Sequence, residues 1–253
     1  MNSTWFRRFT TAAGDGPRLV CFPHAGGSAT AYMQLARTLP ATFDVVSVQY
    51  PGRQDRYLEA PFTALAPLVE AVAEALAEEL AEDSGRPYAL FGHSMGALVA
   101  FETALLLTQG ELPGPQRLFL SGRGGPGTRA RARYDLFDDA DVLADVRGLG
   151  GTNQAMLDDP EVLEMVLPAL RADYQALGTY TWRGGEPLAA PITALVGDRD
   201  PMVTVREART WQEHTTGGFD LKVFPGGHFY LVDHIGQVAA AVTDGLLAGT
   251  AAP

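Results

Sequence analysis

The sequence predicts an α/β fold, a mainly parallel, doubly wound sheet carrying one helical insertion. Short apolar runs bounded by turn residues alternate with helix-length amphipathic stretches along the 253 residues. The apolar runs are continuous rather than alternating, which is typical of strands buried on both faces. One long stretch, 123–190, contains no convincing strand, and it is too long for an ordinary connection between two strands.

Six strands and seven helices are predicted in order. The strands are expected at 18–23, 43–52, 88–92, 117–122, 192–197 and 220–227. The helices are expected near 29–39, 62–82, 95–109, 138–148, 159–177, 203–214 and 235–248. Asp159 and Pro160 form a good helix start, whereas Pro168 is expected to kink or split the helix that follows. We expect one domain over 1–253, in which 123–190 forms a lid across one edge of the sheet.

Composition narrows the class of protein. The net charge of −11 argues against a nucleic-acid partner and against an anionic membrane surface. The one cysteine, Cys21, cannot form an intramolecular disulfide, which favours a reducing compartment. The N-terminal region has no apolar signal segment, and the longest apolar run is too short to cross a bilayer. We expect a cytoplasmic protein and, by default, a monomer.

The segment FGHSMGALVAFE contains a pattern that points to catalysis. GHSMG follows a predicted strand and precedes a predicted helix, which is the context of the nucleophile elbow in α/β hydrolases. Gly92 and Gly96 would let the chain turn without a side chain colliding with its neighbours. Ser94 would then expose its hydroxyl, and the N–H of Met95 would point at a developing oxyanion. The pattern predicts that Ser94 is a nucleophile.

A serine hydroxyl needs a base, and five histidines are available. In this fold the chain order is nucleophile, acid, histidine, which excludes His24 and disfavours His93, the neighbour of the serine. His214 lies at a predicted helix end, where a histidine commonly interacts with the helix dipole. His228 follows the last strand through two glycines, whereas His234 enters the last helix. We favour His228 over His234.

The base in turn needs a carboxylate, and VGDRDPM supplies two after the fifth predicted strand. Asp200 precedes Pro201, which favours an extended backbone that reaches across the sheet edge. Asp198 could instead form a turn, and it remains the alternative. The loop after the preceding strand, SGRGGPG, offers no acid.

The second oxyanion donor is expected in the loop after the first predicted strand, FPHAGG. We favour the N–H of Ala25, with Gly26 next. The chain has no histidine and cysteine spacing typical of a metal site, no P-loop and no dinucleotide-binding glycine motif. The sequence therefore predicts a hydrolase without a cofactor.

Five segments, CFPHAGGSA, VQYPGRQDR, LFGHSMGA, GDRDPMV and FPGGHFYLVD, together resemble the type II thioesterases of polyketide and nonribosomal peptide synthases. The resemblance covers roughly 17–235. It implies an editing enzyme that hydrolyses acyl groups from the phosphopantetheine arm of carrier proteins. It also implies that Ser94, Asp200 and His228 are the catalytic residues, with Met95 and Ala25 as oxyanion donors and 123–190 as the lid.

Other functions remain open at the sequence level. The same residues would serve a general carboxylesterase, an acyltransferase or a medium-chain fatty-acyl carrier thioesterase. A carrier-binding protein with a vestigial site is a further alternative.

For a carrier partner, RGGPGTRARAR offers a cluster of basic residues, and Arg53 and Arg56 add to it. The cluster comprises Arg123, Arg129, Arg131 and Arg133. We expect some of these arginines to meet the phosphopantetheine phosphate or acidic residues of a carrier.

Overall fold

The strands of this chain pair into one sheet of the predicted class. The computed structural model describes residues 4–83, 85–110, 112–128, 138–150 and 159–247. The strands are β1 Phe6–Arg8, β2 Arg18–Phe22, β3 Asp44–Val48, β4 Tyr88–His93, β5 Leu118–Ser121, β6 Ile192–Gly197 and β7 Phe219–Phe224. The sheet order is β1-β3-β2-β4-β5-β6-β7. All neighbouring pairs are parallel except β1 with β3. The predicted α/β class is confirmed, and the short antiparallel β1 was not predicted.

The continuous apolar runs reflect a sheet that is covered on both faces. Alternate residues of β2 point to opposite sides, so Val20 and Phe22 pack in one core cluster while Leu19 and Cys21 pack in another. Because parallel strands need helices over both faces, neither side of these strands has to be polar. Burial raises the pKa of the Cys21 thiol, so this cysteine is an unreactive core residue.

The α-helices lie at or near their predicted positions, except for the short helix Tyr230–Asp233, which was not predicted. They are α1 Met33–Thr38, α2 Leu65–Ala81, α3 Met95–Leu107, α4 Asp139–Leu149, α5 Pro160–Thr179, α6 Val205–Ala208, α7 Tyr230–Asp233 and α8 Ile235–Leu247. Helices α2 and α3 contribute to the first core cluster, whereas α1 and α8 contribute to the second. No helix in the described ranges is long and apolar enough to cross a membrane.

Two helix predictions need correction. The helix expected at 203–214 is the single turn α6, capped by Thr204 and Glu207, followed by the 3-10 helix Arg209–His214. Pro168 does not split α5, which continues through it to Thr179. Tertiary packing overrides the local cost of the proline, since Leu170, Tyr174 and other residues after it are buried. The predicted start of this helix is confirmed, because Asp159 caps the N–H of Glu161 at 2.9 Å.

The chain leaves the sheet between β5 and β6. In the described parts of 123–190, the regular elements are α4 and α5. Helix α5 also packs against α4, where Val142, Leu170 and Tyr174 form a small buried cluster. Ala25 packs against this cluster, so the two helices lie over the loop that follows β2.

Candidate active site

Four loops meet at one edge of the sheet because the strands that precede them are parallel. They follow β2, β4, β6 and β7, and they carry Ala25, Ser94, Asp200 and His228 respectively. The carboxyl ends of parallel strands are the usual location of sites in open α/β folds. The topology therefore brings together residues that lie far apart in the sequence.

The turn at Ser94 is strained, and its two glycines are sterically required. Ser94 has φ 55° and ψ −115°, a backbone conformation that non-glycine residues rarely adopt. A Cβ on Gly92 would lie 2.1 Å from the carbonyl oxygen of Gly96. A Cβ on Gly96 would lie 1.9 Å from the carbonyl oxygen of Phe22, so α3 can approach β2 only with glycine there. This tight turn ends β4 and begins α3 at Met95.

Asp200 and His228 form a buried pair. Nδ1 of His228 lies 2.9 Å from Oδ2 of Asp200, and both side chains are almost fully enclosed. A carboxylate only accepts hydrogen bonds, so Nδ1 carries the proton and Nε2 is left with its lone pair. The other oxygen, Oδ1 of Asp200, accepts from the N–H groups of Met202 and Val203 at 2.8 and 3.3 Å. These two bonds hold the carboxylate toward the imidazole.

Asp198, the alternative acid, has a different role in the structure. Its Oδ1 accepts from the N–H of Gly226 at 2.8 Å, and the residue is exposed. That hydrogen bond is the main reason why the pKa of Asp198 is lowered. Asp198 thus joins the loops after β6 and β7, as a turn-forming residue would. Gly197 allows the same two loops to approach closely, since a Cβ there would lie 2.3 Å from the carbonyl oxygen of Gly227.

Two other histidines, His93 and His24, lie near His228 without joining the pair. The His93 ring lies 4.8 Å from the His228 ring, and its Nδ1 is 2.9 Å from Oγ of Ser121. Its Nε2 is buried and has no hydrogen-bond partner among the described residues. Burial lowers the pKa of His93 well below its usual value, and burial also lowers the pKa of His24 to about 4. Both rings are therefore neutral at pH 7 and place no positive charge beside His228.

Three backbone N–H groups are candidates for the oxyanion hole, those of Met95, Ala25 and Gly26. Met95 is the first residue of α3, so its N–H has no intrahelical partner and lies at the positive end of the helix dipole. Ala25 lines the same cavity as Ser94 and His228. The N–H of Gly26, by contrast, already donates to Oδ2 of Asp173 at 2.8 Å. The N–H of Gly26 is therefore already paired in this conformation, and Ala25 stays the predicted donor from this loop.

The cavity at Ser94 is small and covered by the inserted helices. Its volume is about 30 Å³, enough for water but not for an acyl chain. Residues of α4 and α5 close it from above; they are Val146, Leu149, Tyr174 and Leu177. The hydroxyl of Tyr174 donates to Oδ2 of Asp145 at 2.7 Å and so ties the two helices together.

The arginines expected to meet a carrier fall into two groups. Arg129, Arg131 and Arg133 lie outside the described residues. Arg123 is only 7% exposed, and Arg53 and Arg56 are equally buried. With so little of their surface exposed, these three arginines offer a docked carrier little to contact.

No group of three or more potential metal ligands occurs among the described residues.

The pairing between Arg53 and Asp173 was not foreseen from the sequence. A signal was present, however, because Asp173 falls on the apolar face of α5, with Leu170 and Leu177 one turn away on either side. A charged residue in that position usually has a buried partner.

Comparison with known proteins identifies the family of this chain. The family model described as "Thioesterase domain" matches residues 17–246. The "Probable cadicidin biosynthesis thioesterase" of Streptomyces griseus is 45% identical over 98% of this chain and 68% of its own length. "Thioesterase PikA5" of Streptomyces venezuelae is 43% identical over 98% of this chain and 88% of its own length.

A solved structure shows the same likeness in three dimensions. The type II thioesterase BorB from the borrelidin biosynthetic cluster superimposes with a TM-score of 0.88 at 42% identity, covering 97% of this chain and 99% of that one. The resemblance to type II thioesterases that the five segments predicted is confirmed. With a family match over most of its length and relatives above 40% identity over nearly all of it, this chain belongs to the thioesterase family.

Proposed function

We propose that this protein is a serine thioesterase that removes acyl groups from the phosphopantetheine arm of carrier proteins and so edits a polyketide or nonribosomal peptide synthase. One observation carries the catalytic part of the proposal. The strained elbow serine and His228, far apart in the sequence, line the same cavity at one edge of the sheet, and His228 is paired with the buried Asp200. The named relatives from biosynthetic clusters support the substrate class.

In the first half of the reaction, Oγ of Ser94 attacks the thioester carbonyl carbon while Nε2 of His228 takes the hydroxyl proton. The negative charge that develops on the carbonyl oxygen is stabilised by the N–H groups of Met95 and Ala25. Asp200 stabilises the imidazolium cation and maintains its orientation. The carbon–sulfur bond then breaks, and the departing thiolate of the phosphopantetheine arm takes the proton from His228.

In the second half, a water molecule attacks the ester formed on Ser94. His228 takes a proton from that water, and the same two N–H groups stabilise the second oxyanion. When the bond between Oγ and the acyl carbon breaks, the proton returns from His228 to Ser94. The products are a carboxylic acid and the free enzyme, so the reaction needs no cofactor.

We propose that 1–253 is one domain and that 123–190 is its lid. The cavity volume of about 30 Å³ supports this assignment, because no acyl chain reaches Ser94 until side chains of α4 or α5 move. For the carrier, the proposal is limited to Arg129, Arg131 and Arg133. It rests on their clustering in the sequence and on the affinity of arginine for phosphate.

The experiment is intact-mass spectrometry of an acetyl- or propionyl-loaded carrier protein incubated with the enzyme. The matched N-acetylcysteamine thioester is the small comparator, and Ser94→Ala is the control. We expect the acyl mass to be lost only with intact Ser94, and faster from the carrier than from the small thioester. Rapid cleavage of the small thioester beside an untouched carrier would instead favour a general esterase. No turnover of either substrate would contradict the proposed catalytic function.

A further inference from the structure

A buried ion pair joins the inserted helix α5 to the loops beneath it. Nη1 of Arg53 lies 2.8 Å from Oδ2 of Asp173, and Nη2 lies 3.0 Å from Oδ1. The two side chains are almost fully enclosed, with 7% and 2% of their surface exposed. A bidentate pair of this kind has both a fixed distance and a fixed orientation. Nothing in the hydrolytic steps described above requires it.

The same two side chains also bind the backbone of the loop after β2. Oδ2 of Asp173 accepts from the N–H of Gly26 at 2.8 Å, and Nη1 of Arg53 donates to the carbonyl oxygen of Gly27 at 3.0 Å. Two consecutive residues of this loop are therefore held by one ion pair. Ala25, the proposed oxyanion donor, immediately precedes them. The carbonyl oxygen of His24 accepts from the N–H of Gly27 at 2.9 Å, and this carbonyl shares one planar peptide unit with the Ala25 N–H. Holding Gly27 therefore restricts the direction of the Ala25 N–H.

Both partners are themselves fixed by surrounding structure. The backbone carbonyl of Arg53 accepts from Nε2 of the buried Gln49 at 3.0 Å, and Nε of Arg53 donates to the carbonyl oxygen of Pro51 at 3.2 Å. Asp173 lies on the buried face of α5, between Leu170 and Leu177. A support of this kind can hold a donor within the narrow geometric limits that catalysis requires.

The pairing also solves an electrostatic problem. A lone carboxylate next to the loop would oppose the negative charge that develops on the substrate oxygen. The guanidinium of Arg53 neutralises Asp173, so the loop gains a hydrogen-bond acceptor without a net negative charge. An uncharged amide would avoid the problem, but it has one acceptor oxygen for Arg53 instead of two.

We propose that Arg53 and Asp173 are positioning residues that hold the N–H of Ala25 toward the substrate oxyanion. The proposal rests on the proposed function, since it assumes hydrolysis at Ser94. It assigns to helix α5 a part in transition-state stabilisation in addition to covering the cavity. The pair contacts neither the substrate nor the reacting atoms and acts only through the loop 24–27.

The test is Asp173→Asn, measured on an N-acetylcysteamine thioester. If the amide oxygen of an asparagine takes the place of Oδ2, its NH₂ faces Nη2 of Arg53 and displaces the guanidinium that binds Gly27; in the flipped orientation the NH₂ faces the Gly26 N–H. In either orientation the loop loses one of its two attachments. We expect kcat to fall by roughly ten- to a hundred-fold, because a donor displaced by about 1 Å loses much of its effect. KM should change by less than about two-fold, since the lost interaction forms mainly in the transition state. Binding of an alkylboronic acid, whose tetrahedral adduct on Ser94 places an oxygen in the oxyanion site, should weaken in parallel with kcat.

The matched control is Asp44→Asn. Asp44 accepts from Nε of the buried Arg18 at 2.7 Å, but that pair lies at the start of β2 and β3, at the opposite edge of the sheet. Both variants lose one partner of a buried ion pair, so both should lower the unfolding midpoint. Only Asp173→Asn should lower kcat and weaken boronate binding. Equal losses of kcat in the two variants, or an unchanged kcat in folded Asp173→Asn, would overturn the proposal.

A second variant keeps the test decisive if Asp173→Asn does not fold. The double substitution Arg53→Met with Asp173→Leu replaces the ion pair by apolar side chains, a change that buried pairs often tolerate. The folded double variant should still show the low kcat, because the Gly26 N–H has no acceptor; a normal kcat would overturn the proposal. Ser94→Ala in the same assay tests the proposed function separately. Activity that survives Ser94→Ala refutes that function, whereas activity lost only with Ser94→Ala refutes the positioning role alone.

Discussion

Replacing Asp200 by asparagine tests the choice between two carboxylates that lie two residues apart. In the substituted side chain, Oδ1 can still accept from the N–H groups of Met202 and Val203, so the loop should keep its conformation. The new amide NH₂ would then face Nδ1 of His228 and donate to it. The imidazole is thereby forced into the tautomer that carries its proton on Nε2, and it can no longer accept the proton of Ser94.

The size of the effect follows from that tautomer. Catalysis with the wrong tautomer is slower by roughly 10⁴-fold in kcat, which corresponds to about 5.5 kcal/mol of transition-state stabilisation. The stability loss should be far smaller, about 1 kcal/mol, because only one hydrogen bond changes while two remain. Asp200→Asn should therefore be folded and nearly inactive.

The assay is kcat on an N-acetylcysteamine thioester, followed by release of the free thiol, with unfolding measured by urea titration. Asp198→Asn is the control, because Asp198 is exposed and an asparagine can still accept from the N–H of Gly226. We expect the control to change kcat by less than about three-fold, as exposed substitutions rarely cost more than about 0.5 kcal/mol. A folded Asp200→Asn enzyme that keeps kcat within ten-fold of the parent would refute the reasoning. A large loss in Asp198→Asn alone would transfer the role to that residue.

Two further predictions concern stability. Gly96→Ala should abolish folding or lower the unfolding midpoint severely, because the added Cβ would lie 1.9 Å from the carbonyl oxygen of Phe22. The control is Gly236→Ala, where the added Cβ meets open space. Equal effects of the two substitutions in thermal unfolding would contradict this prediction. The free energy of unfolding should fall as the pH is lowered from about 6.5 to about 4. Burial lowers the pKa of His24 to about 4 and that of His93 well below its usual value. In this pH window the unfolded chain therefore binds more protons than the folded one, which favours unfolding. Urea titrations at several pH values measure this, and an unfolding free energy that stays constant over the window would contradict it.

The strands of the sheet were predictable because the apolar pattern that indicates each of them lies within the strand itself. Each parallel strand is a short, continuous apolar run, and this pattern survives without knowledge of the neighbouring strands. β1 escaped prediction because three residues, two of them arginines, carry no such pattern. Pro168 misled the prediction for a related reason. Proline is unfavourable inside a helix, but the packing of the residues that follow it in α5 outweighs this cost.

The candidate site was predictable to a different degree at each residue. GHSMG specifies a tight turn by itself, since only glycines permit the approaches at Gly92 and Gly96. The choice of Asp200 over Asp198 depended on one following proline, and the contrast in their hydrogen bonds appears only in the folded chain. The burial of Arg53, Arg56 and Arg123 was not foreseen, because an arginine in a loop is usually exposed.

By itself, the sequence determined the six parallel strands, the longer helices, the class of the fold and the serine turn, because each of these depends on residues within one turn, strand or helix. Tertiary structure decided which groups touch. His228 meets Asp200 across 28 residues, and Arg53 meets Asp173 across 120 residues. Such contacts depend on how parallel strands bring their loops to one edge and on how α5 packs over them. That arrangement arises from the burial of the whole apolar surface, which no single segment of the sequence records.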